Sequence, residues 1–201
     1  MIVNQQSKTA NAIAFFAVRY KDRYGYWPAQ MWIYKLLALL DYRILKATGR
    51  PCLGLDYLAL DNGPVPSFLY DRRMASQDGE IYCFIPARDS RRIDVAAKQE
   101  PNMDYFSDRA AEEMERLADE FIDSGKDLAY LIDATHSLNA WRVARRIADQ
   151  NHRGRVFMEY ADEFPDDIAS KSVEELSFQE ESFLTWKKHS ELELADACRQ
   201  A

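Results

Sequence analysis

Cysteine is scarce in this chain of 201 residues, and no long run of apolar residues occurs. The three cysteines, Cys52, Cys83 and Cys198, lack the paired spacing of a zinc site or a disulfide framework, which favours a reducing, cytoplasmic compartment. The longest charge-free stretches, Thr9 to Val18 and Tyr24 to Tyr34, are about half of the ~20 apolar residues that a membrane-spanning helix needs. The sequence therefore predicts a cytoplasmic protein without a membrane span.

Glycine is also sparse, and its seven residues are spaced singly, which excludes the usual dinucleotide-binding and P-loop signatures. The histidines His136, His152 and His189 do not form a metalloprotease spacing. Asp133 and His136 lie three residues apart on a predicted helix, but the sequence offers no third and fourth ligand beside them. We therefore predict no catalytic residues, no metal ligands and no cofactor, and the absence of these motifs favours a protein that is not an enzyme.

Positive charge is in the minority, with 26 Lys and Arg against 33 Asp and Glu and a net charge of -7. Residues 1–75 carry a net charge of +5, whereas residues 76–201 carry -12. From Val156 onward, twelve acidic residues stand against four basic ones. Such an end should repel nucleic acid and attract a basic protein surface, although a solubilising tail has the same composition.

Apolar residues recur at three- and four-residue spacing along much of the chain, which predicts a mainly helical fold. The segment from Met31 to the stop at Gly49 is apolar almost all round, so we expect it to be the central core helix. Further helices are predicted to start near Ser107, Asp127 and Leu138.

Strands are predicted in one place only. The segments 81–85 and 92–96 can pair across an intervening turn, giving a β-hairpin near residues 80–97. Residues 56–62 are interpreted as a short helix that the prolines of the following Gly63–Pro66 segment interrupt.

Together these elements predict a mainly α (α+β) fold, a compact helical domain around one apolar helix with a small β-hairpin. The predicted domain spans residues 1–155, followed by an acidic C-terminal segment, 156–201, that is helical from about residue 178.

One basic cluster stands out, at the end of the domain. It consists of Arg142, Arg145, Arg146, Arg153 and Arg155. Combined with the many tyrosines and tryptophans, it could serve a nucleic-acid-binding regulator. On an acidic chain, however, such arginines more often solvate a helix face or pair with the chain's own carboxylates, so nucleic acid is not the expected partner.

Several short motifs follow one another in the chain. They are Lys35-Leu-Leu-Ala-Leu-Leu-Asp41-Tyr42-Arg43, Thr48-Gly49-Arg50-Pro51, Gly54-Leu55-Asp56-Tyr57, Asn62-Gly63-Pro64-Val65-Pro66 with Leu69-Tyr70, and Asp133-Ala-Thr-His136-Ser-Leu-Asn-Ala-Trp141. This order resembles the Panacea domain of the SocA-like antitoxin family, over about Tyr20 to Arg146. Ala38 stands where the family usually has an aromatic residue, and residues 86–105 and the tail from Val156 have no counterpart in it.

The resemblance implies an antitoxin that neutralises a cognate toxin protein by direct binding, is often encoded beside that toxin on phage-derived or mobile DNA, and has no enzymatic activity. It assigns a structural or partner-binding role to a set of motif residues. These are Lys35, Asp41, Tyr42, Gly49, Arg50, Pro51, Gly63, Pro64, Val65, Pro66, His136 and Trp141.

The Gly63–Pro66 segment should form a rigid turn, because each proline fixes a backbone angle and the glycine can take a positive φ. We expect His136 and Trp141 to pack on this turn, with the histidine bonded to a backbone carbonyl and the indole over the proline rings. The alternative is a small enzyme or ligand-binding domain with a pocket near these two residues.

The predicted C-terminal helix combines apolar and acidic residues, which suits a groove bordered by basic residues. Its candidate toxin-contacting residues are Phe183, Trp186, Glu180 and Glu181. Docking of the same helix on its own domain is the alternative. The sequence leaves open which toxin is bound and whether the chain is a homodimer.

Overall fold

The computed structural model describes residues 4–72, 79–86 and 92–200. Its α-helices and strands are α1 (Gln5–Tyr24), α2 (Gln30–Thr48), β1 (Tyr57–Leu60), β2 (Gly63–Pro66), α3 (Ser67–Arg72), β3 (Tyr82–Pro86), β4 (Ile93–Ala97), α4 (Asp108–Leu117), α5 (Leu128–His136), α6 (Asn139–Gln150), β5 (Val156–Phe157) and α7 (Phe178–Gln200). A π-helical turn, Ala118–Asp123, extends α4. The mainly α fold with a small β component is the one that the sequence predicts.

Helix α2 is the centre of the fold. It packs against α1, α4, α5, α7 and strand β2, and most of its side chains are buried. This position explains its apolar composition, since a helix contacted on all sides needs no polar face. Two ionisable residues, Lys35 and Asp41, are nevertheless fully buried within it.

The helix starts predicted near Ser107 and Asp127 are confirmed. The Ser107 hydroxyl accepts a hydrogen bond from the N–H of Ala110, and the Asp127 carboxylate accepts one from Tyr130. Both are N-cap bonds that satisfy a free backbone donor in the first turn of a helix.

The predicted helix over residues 56–62 is wrong, because this segment forms strand β1 and the turn into β2. An antiparallel sheet has the order β2-β1-β5, so β1 is its middle strand. Tyr57, Leu58 and Ala59 are all buried, and a short continuous apolar run cannot be told from a buried helix by periodicity. The prolines of β2 are tolerated because β2 lies at the sheet edge.

The predicted β-hairpin is confirmed as β3 and β4, which pair from Tyr82↔Ala97 to Pro86↔Ile93. The turn predicted between them includes residues 87–91, which lie outside the described residues. The N–H of Val95 donates to the carbonyl of Pro28 at 2.9 Å, which fastens the hairpin to the connection between α1 and α2.

Residues beyond 155 take part in the same fold. Strand β5 pairs with β1, the N–H of Met158 donates to the carbonyl of Tyr57 at 2.8 Å, and α7 packs on α2. The domain boundary at residue 155 stays a prediction about which part folds independently.

No helix in the described part of the chain combines the length and the apolar composition that crossing a membrane requires.

Candidate functional site

The motif residues gather in two buried polar clusters, one around each of the two fully buried charged residues of α2, Lys35 and Asp41. We call them the Lys35 cluster, formed by Lys35, Gly63, Pro64, Thr135, His136 and Trp141, and the Asp41 cluster, formed by Asp41, Leu53, Gly54, Leu55, Tyr57 and Tyr160. A third group, Gly49 and Arg50, lies at the end of α2 in contact with α7.

The centre of the Lys35 cluster is a lysine with no exposed surface. Its Nζ donates a hydrogen bond to the carbonyl oxygen of Pro64 at 2.8 Å, so its bond runs to a neutral acceptor. Burial lowers the pKa of Lys35 to about 7, because a buried ammonium group loses its hydration. The lysine side chain thereby fastens α2 to the edge strand β2.

Gly63 sits at the closest approach within this cluster. Its φ is 88°, and a Cβ built there would lie 2.5 Å from Oγ1 of Thr135 and 3.2 Å from Nζ of Lys35. Both the left-handed backbone and the lack of space require glycine. Thr135, which lies within the Asp133–Trp141 motif but received no role from the sequence, is fully buried on α5 and closes this side of the turn.

His136 and Trp141 stack face to face, with ring centroids 3.7 Å apart and planes 10° apart. The indole Nε1 of Trp141 donates to the carbonyl oxygen of Leu60 at 3.1 Å, at the end of β1, and His136 bonds the backbone of Asp61. The two rings therefore pack on the β1–β2 turn, in contact with each other, and leave no room for a ligand between them.

The protonation of His136 follows from this position. Burial and the nearby charge of Lys35 lower the pKa of His136, while Asp133 opposes the shift. Its Nε2 atom is buried and has no hydrogen-bond partner in the described part of the chain. A neutral imidazole with a structural role fits these surroundings, because protonation would add a buried positive charge beside Lys35.

In the Asp41 cluster, one fully buried carboxylate accepts hydrogen bonds from five donors. Three are the successive backbone N–H groups of residues 53–55. The other two are the hydroxyls of Tyr57 at 2.9 Å and Tyr160 at 3.0 Å. Burial raises the pKa of Asp41, and the backbone donors oppose that rise. The carboxylate thus holds together the loop after α2, strand β1 and the segment before α7.

Most remaining motif residues are buried. Pro51, Pro64, Val65 and Pro66 have little or no exposed surface, and the ring of Tyr42 packs on that of Tyr160 at 5.0 Å. Tyr160 lies beyond the motifs and was not foreseen, because no local pattern marks a tyrosine that bonds a carboxylate 119 residues away.

The candidate toxin-contacting residues of α7 have different exposures. Phe183 is 2% exposed and Glu180 is 8% exposed, whereas Glu181 is exposed and Trp186 is half-buried. Glu180 forms an ion pair with Lys171 at 2.6 Å. With α7 in this position, Phe183 and Glu180 face the chain's own residues, so neither is available to a partner. This arrangement is the alternative in which the helix docks on its own domain.

The five arginines of the basic cluster differ in their contacts. Arg145 forms ion pairs with Asp61 at 2.8 Å and with Asp149 at 2.6 Å. Arg142 donates to the amide oxygen of Asn139. The remaining three, Arg146, Arg153 and Arg155, have exposed side chains.

The described residues contain no group of three or more His, Cys, Asp or Glu side chains that could hold a metal ion. Burial and the nearby Asp41 raise the pKa of the Cys52 thiol to about 12, which keeps it protonated and unreactive. Cys83 is a free thiol, and the side chain of Cys198 is outside the described part of the structure.

The chain was compared with protein families, curated proteins and solved structures. No curated protein and no solved structure matches it. A family model described as "Antitoxin SocA-like, Panacea domain" matches residues 33–142, more than half of the chain. The matched region contains all of the Lys35 cluster and, except for Tyr160, all of the Asp41 cluster. The chain therefore belongs to the SocA-like Panacea antitoxin family.

Proposed function

We propose that this chain is the antitoxin of a toxin–antitoxin pair and that it neutralises one cognate protein toxin by direct binding, without catalysis. The family match over residues 33–142 is the observation that carries the proposal. The internal use of the motif side chains supports it. Lys35 and Asp41 are fully buried and bonded to the chain's own groups, as in a scaffold that presents a binding surface.

The test is co-expression of this chain with the protein product of each flanking reading frame in the cytoplasm of a bacterial host. We expect one product to arrest growth alone and growth to recover when this chain is present. The two purified proteins should then form a stable complex. A flanking toxin that the chain suppresses without any complex would contradict direct binding.

The mode of neutralisation is decided by the amount of toxin in rescued cells. Occupancy of the toxin predicts an unchanged toxin level, since a blocked protein is not removed. Delivery to a protease predicts that the toxin level falls when this chain is present and is restored in a protease-deficient host.

A nucleic-acid-binding regulator is a second candidate, favoured by the exposed side chains of Arg146, Arg153 and Arg155. Filter binding of labelled duplex DNA at 50 and 200 mM salt tests it. Phosphate contacts predict binding that falls steeply at the higher salt and weakens when the three arginines are replaced by glutamine. Absence of binding at the lower salt would remove this candidate.

A further inference from the structure

The first turns of α7 are seated directly on the glycine that ends α2. Gly49 has a φ of 77°, and a Cβ built on it would lie 2.2 Å from the carbonyl oxygen of Gln179 and 2.7 Å from Cβ of Ser182. The backbone of α7 can therefore approach only because position 49 has no side chain. Arg50 adds a hydrogen bond from Nε to the hydroxyl of Ser182 at 3.1 Å.

Two aromatic side chains anchor α7 on this surface. Phe183 is almost fully buried and stacks on Phe164, with ring centroids 4.4 Å apart. Trp186 meets Tyr160 edge to face at 5.7 Å. We call the surface formed by Gly49, Arg50, Tyr160 and Phe164 the α7 seat.

The rest of α7 contributes little to this attachment. From Lys187 onward most of the described side chains are exposed, and Leu192 keeps 57% of its surface accessible. The helix runs to Gln200, so roughly its second half lies beyond the anchoring aromatics. Leaving the seat requires the separation of the first half alone.

Only part of this contact lies within the region that matches the family. Gly49 and Arg50 lie within the matched residues 33–142, and both belong to the Gly-Arg-Pro motif. Helix α7 lies wholly outside the match, as do the other two residues of the seat, Tyr160 and Phe164. The part of the seat that the family motif forms is thus covered by a helix that the family model does not include.

We propose that the α7 seat is the toxin-binding groove, and that α7 occupies it until a helix of the toxin replaces it. The seat specifies that helix: a small residue over Gly49, an aromatic residue directly after it, and a second aromatic residue three positions further on, as in Ser182, Phe183 and Trp186. Arg50 provides a donor for a polar group on the small residue. This inference rests on the proposed function and names its site.

Competition sets the affinity that the toxin helix needs. A helix tethered to its own seat has an effective concentration in the millimolar range, so a free helix with the same contacts competes poorly. A toxin must add contacts outside the seat, or the seat must first be vacated. Variants that empty the seat and variants that block it should therefore have opposite effects.

The seat is tested first with a synthetic peptide of residues 176–190, labelled with a fluorophore, and the full-length chain. Phe183→Ala removes the anchor of α7 from the chain, so we expect it to bind the peptide at least tenfold more tightly than the wild type does. Adding Gly49→Ala places a Cβ in the seat and should return binding to the wild-type level. Leu192→Ala, an exposed change on the same helix, is the control and should bind as the wild type does.

Gly25→Ala is the matched control for backbone strain at Gly49. Gly25 ends α1 with a φ of 79°, and its N–H donates a cap bond of 2.7 Å, as that of Gly49 does, but a Cβ on Gly25 meets nothing within 4 Å. Circular dichroism of each variant verifies that it is folded. Equal peptide binding by the wild type and Phe183→Ala, or binding that survives Gly49→Ala, overturns the proposal.

The toxin identified by co-expression provides the second test. We expect Gly49→Ala to reduce the number of rescued colonies at least tenfold, and Phe183→Ala and Gly25→Ala to rescue fully. Loss of rescue in both Gly49→Ala and Phe183→Ala would mean that α7 itself contacts the toxin, and full rescue by both would place the toxin elsewhere. Either result overturns the proposal but leaves the antitoxin function standing, whereas a wild-type chain that rescues from no flanking toxin contradicts the function itself.

Discussion

Lys35 donates its hydrogen bond to the carbonyl oxygen of Pro64 from a position without any exposed surface. Because the acceptor is neutral, the ammonium charge is compensated only partly, and the pKa of Lys35 falls to about 7. In the unfolded chain the same side chain is hydrated and keeps its proton to about pH 10.5. Folding thus changes the protonation of one residue over the interval between these two values.

The first prediction is that stability rises with pH between about 7 and 9, below the pH range in which the buried Cys52 thiol would oppose the rise. The unfolded state binds more protons than the folded state in this interval, so the free energy of unfolding increases with pH, by up to about 1.4 kcal/mol per pH unit. In Lys35→Met this increase should be lost. Urea unfolding at pH 7, 8 and 9 measures the slope.

Lys187→Met, a change at an exposed lysine of α7, is the control for this experiment. Its slope should equal that of the wild type. An equal slope in Lys35→Met as well would mean that Lys35 keeps an ordinary pKa in the folded protein, contrary to its burial.

The position of α2 could be predicted from the sequence, because a long segment without a polar face can only be stable when surrounded. What holds Lys35 and Asp41 inside it could not. Their partners lie on β2 and on the loop after α2, and Tyr160 reaches Asp41 from far along the chain. Such bonds depend on tertiary packing and leave no periodic signal.

The same limit explains the wrong assignment at β1 and the ambiguity of α7. Leu58 and Ala59 form a short apolar run that suits a buried strand and a buried helix equally. Phe183 is one of several aromatics on a helix with an acidic surface, and only the glycine at position 49 makes room for it against the core. Whether a helix packs directly on a glycine depends on the glycine's tertiary neighbour, which a single sequence does not identify.

The second prediction concerns the donors around Asp41. In Asp41→Asn, an amide with one acceptor oxygen and two donor hydrogens would face two tyrosine hydroxyls and three backbone N–H groups. We expect the free energy of unfolding to fall by about 3 kcal/mol, since buried donors would lose their partner and others would meet an N–H. Chemical denaturation at pH 7 measures it.

Asp56→Asn is the matched control, because Asp56 is an exposed aspartate close to the same loop. Its stability should stay within about 0.5 kcal/mol of the wild type. If both variants lost equally little stability, the Asp41 carboxylate would not hold the loop, β1 and Tyr160 together.

The third prediction distinguishes two truncations. A stop after Val156 removes Tyr160, Phe183 and half of β5, so a donor to Asp41 and an aromatic residue of the core are lost together. We expect this protein to lose cooperative thermal unfolding. A stop after Ser190 keeps both anchoring aromatics, and its melting temperature should remain within a few degrees of the full chain.

Differential scanning calorimetry of the two truncated proteins measures this difference. A cooperative transition at the wild-type temperature after the stop at Val156 would show that residues 1–156 fold independently. In that case the acidic C-terminal segment would be a separable appendage, as the domain boundary drawn from the sequence implies.

The last prediction decides between a structural pair and a ligand pocket at His136 and Trp141. The rings stack on each other at 3.7 Å, and the indole bonds the carbonyl of Leu60. His136→Ala removes a stacked ring, and Trp141→Phe removes the donor to that carbonyl, so each should lower the free energy of unfolding by about 1 kcal/mol. Because both losses are structural, each variant should still rescue cells from the toxin at any temperature at which it is folded.

Comparing the two variants separates stability from chemistry, since Trp141→Phe retains the imidazole and weakens the same turn. A His136→Ala protein as stable as Trp141→Phe that fails to rescue, while Trp141→Phe rescues fully, would assign the imidazole a role in binding. The Nε2 atom of His136 would then be the atom that meets the partner, because it has no hydrogen-bond partner among the described residues. Equal rescue by both variants is the outcome we expect, since the bond to the Asp61 backbone and the stack on Trp141 both hold the histidine in its own fold.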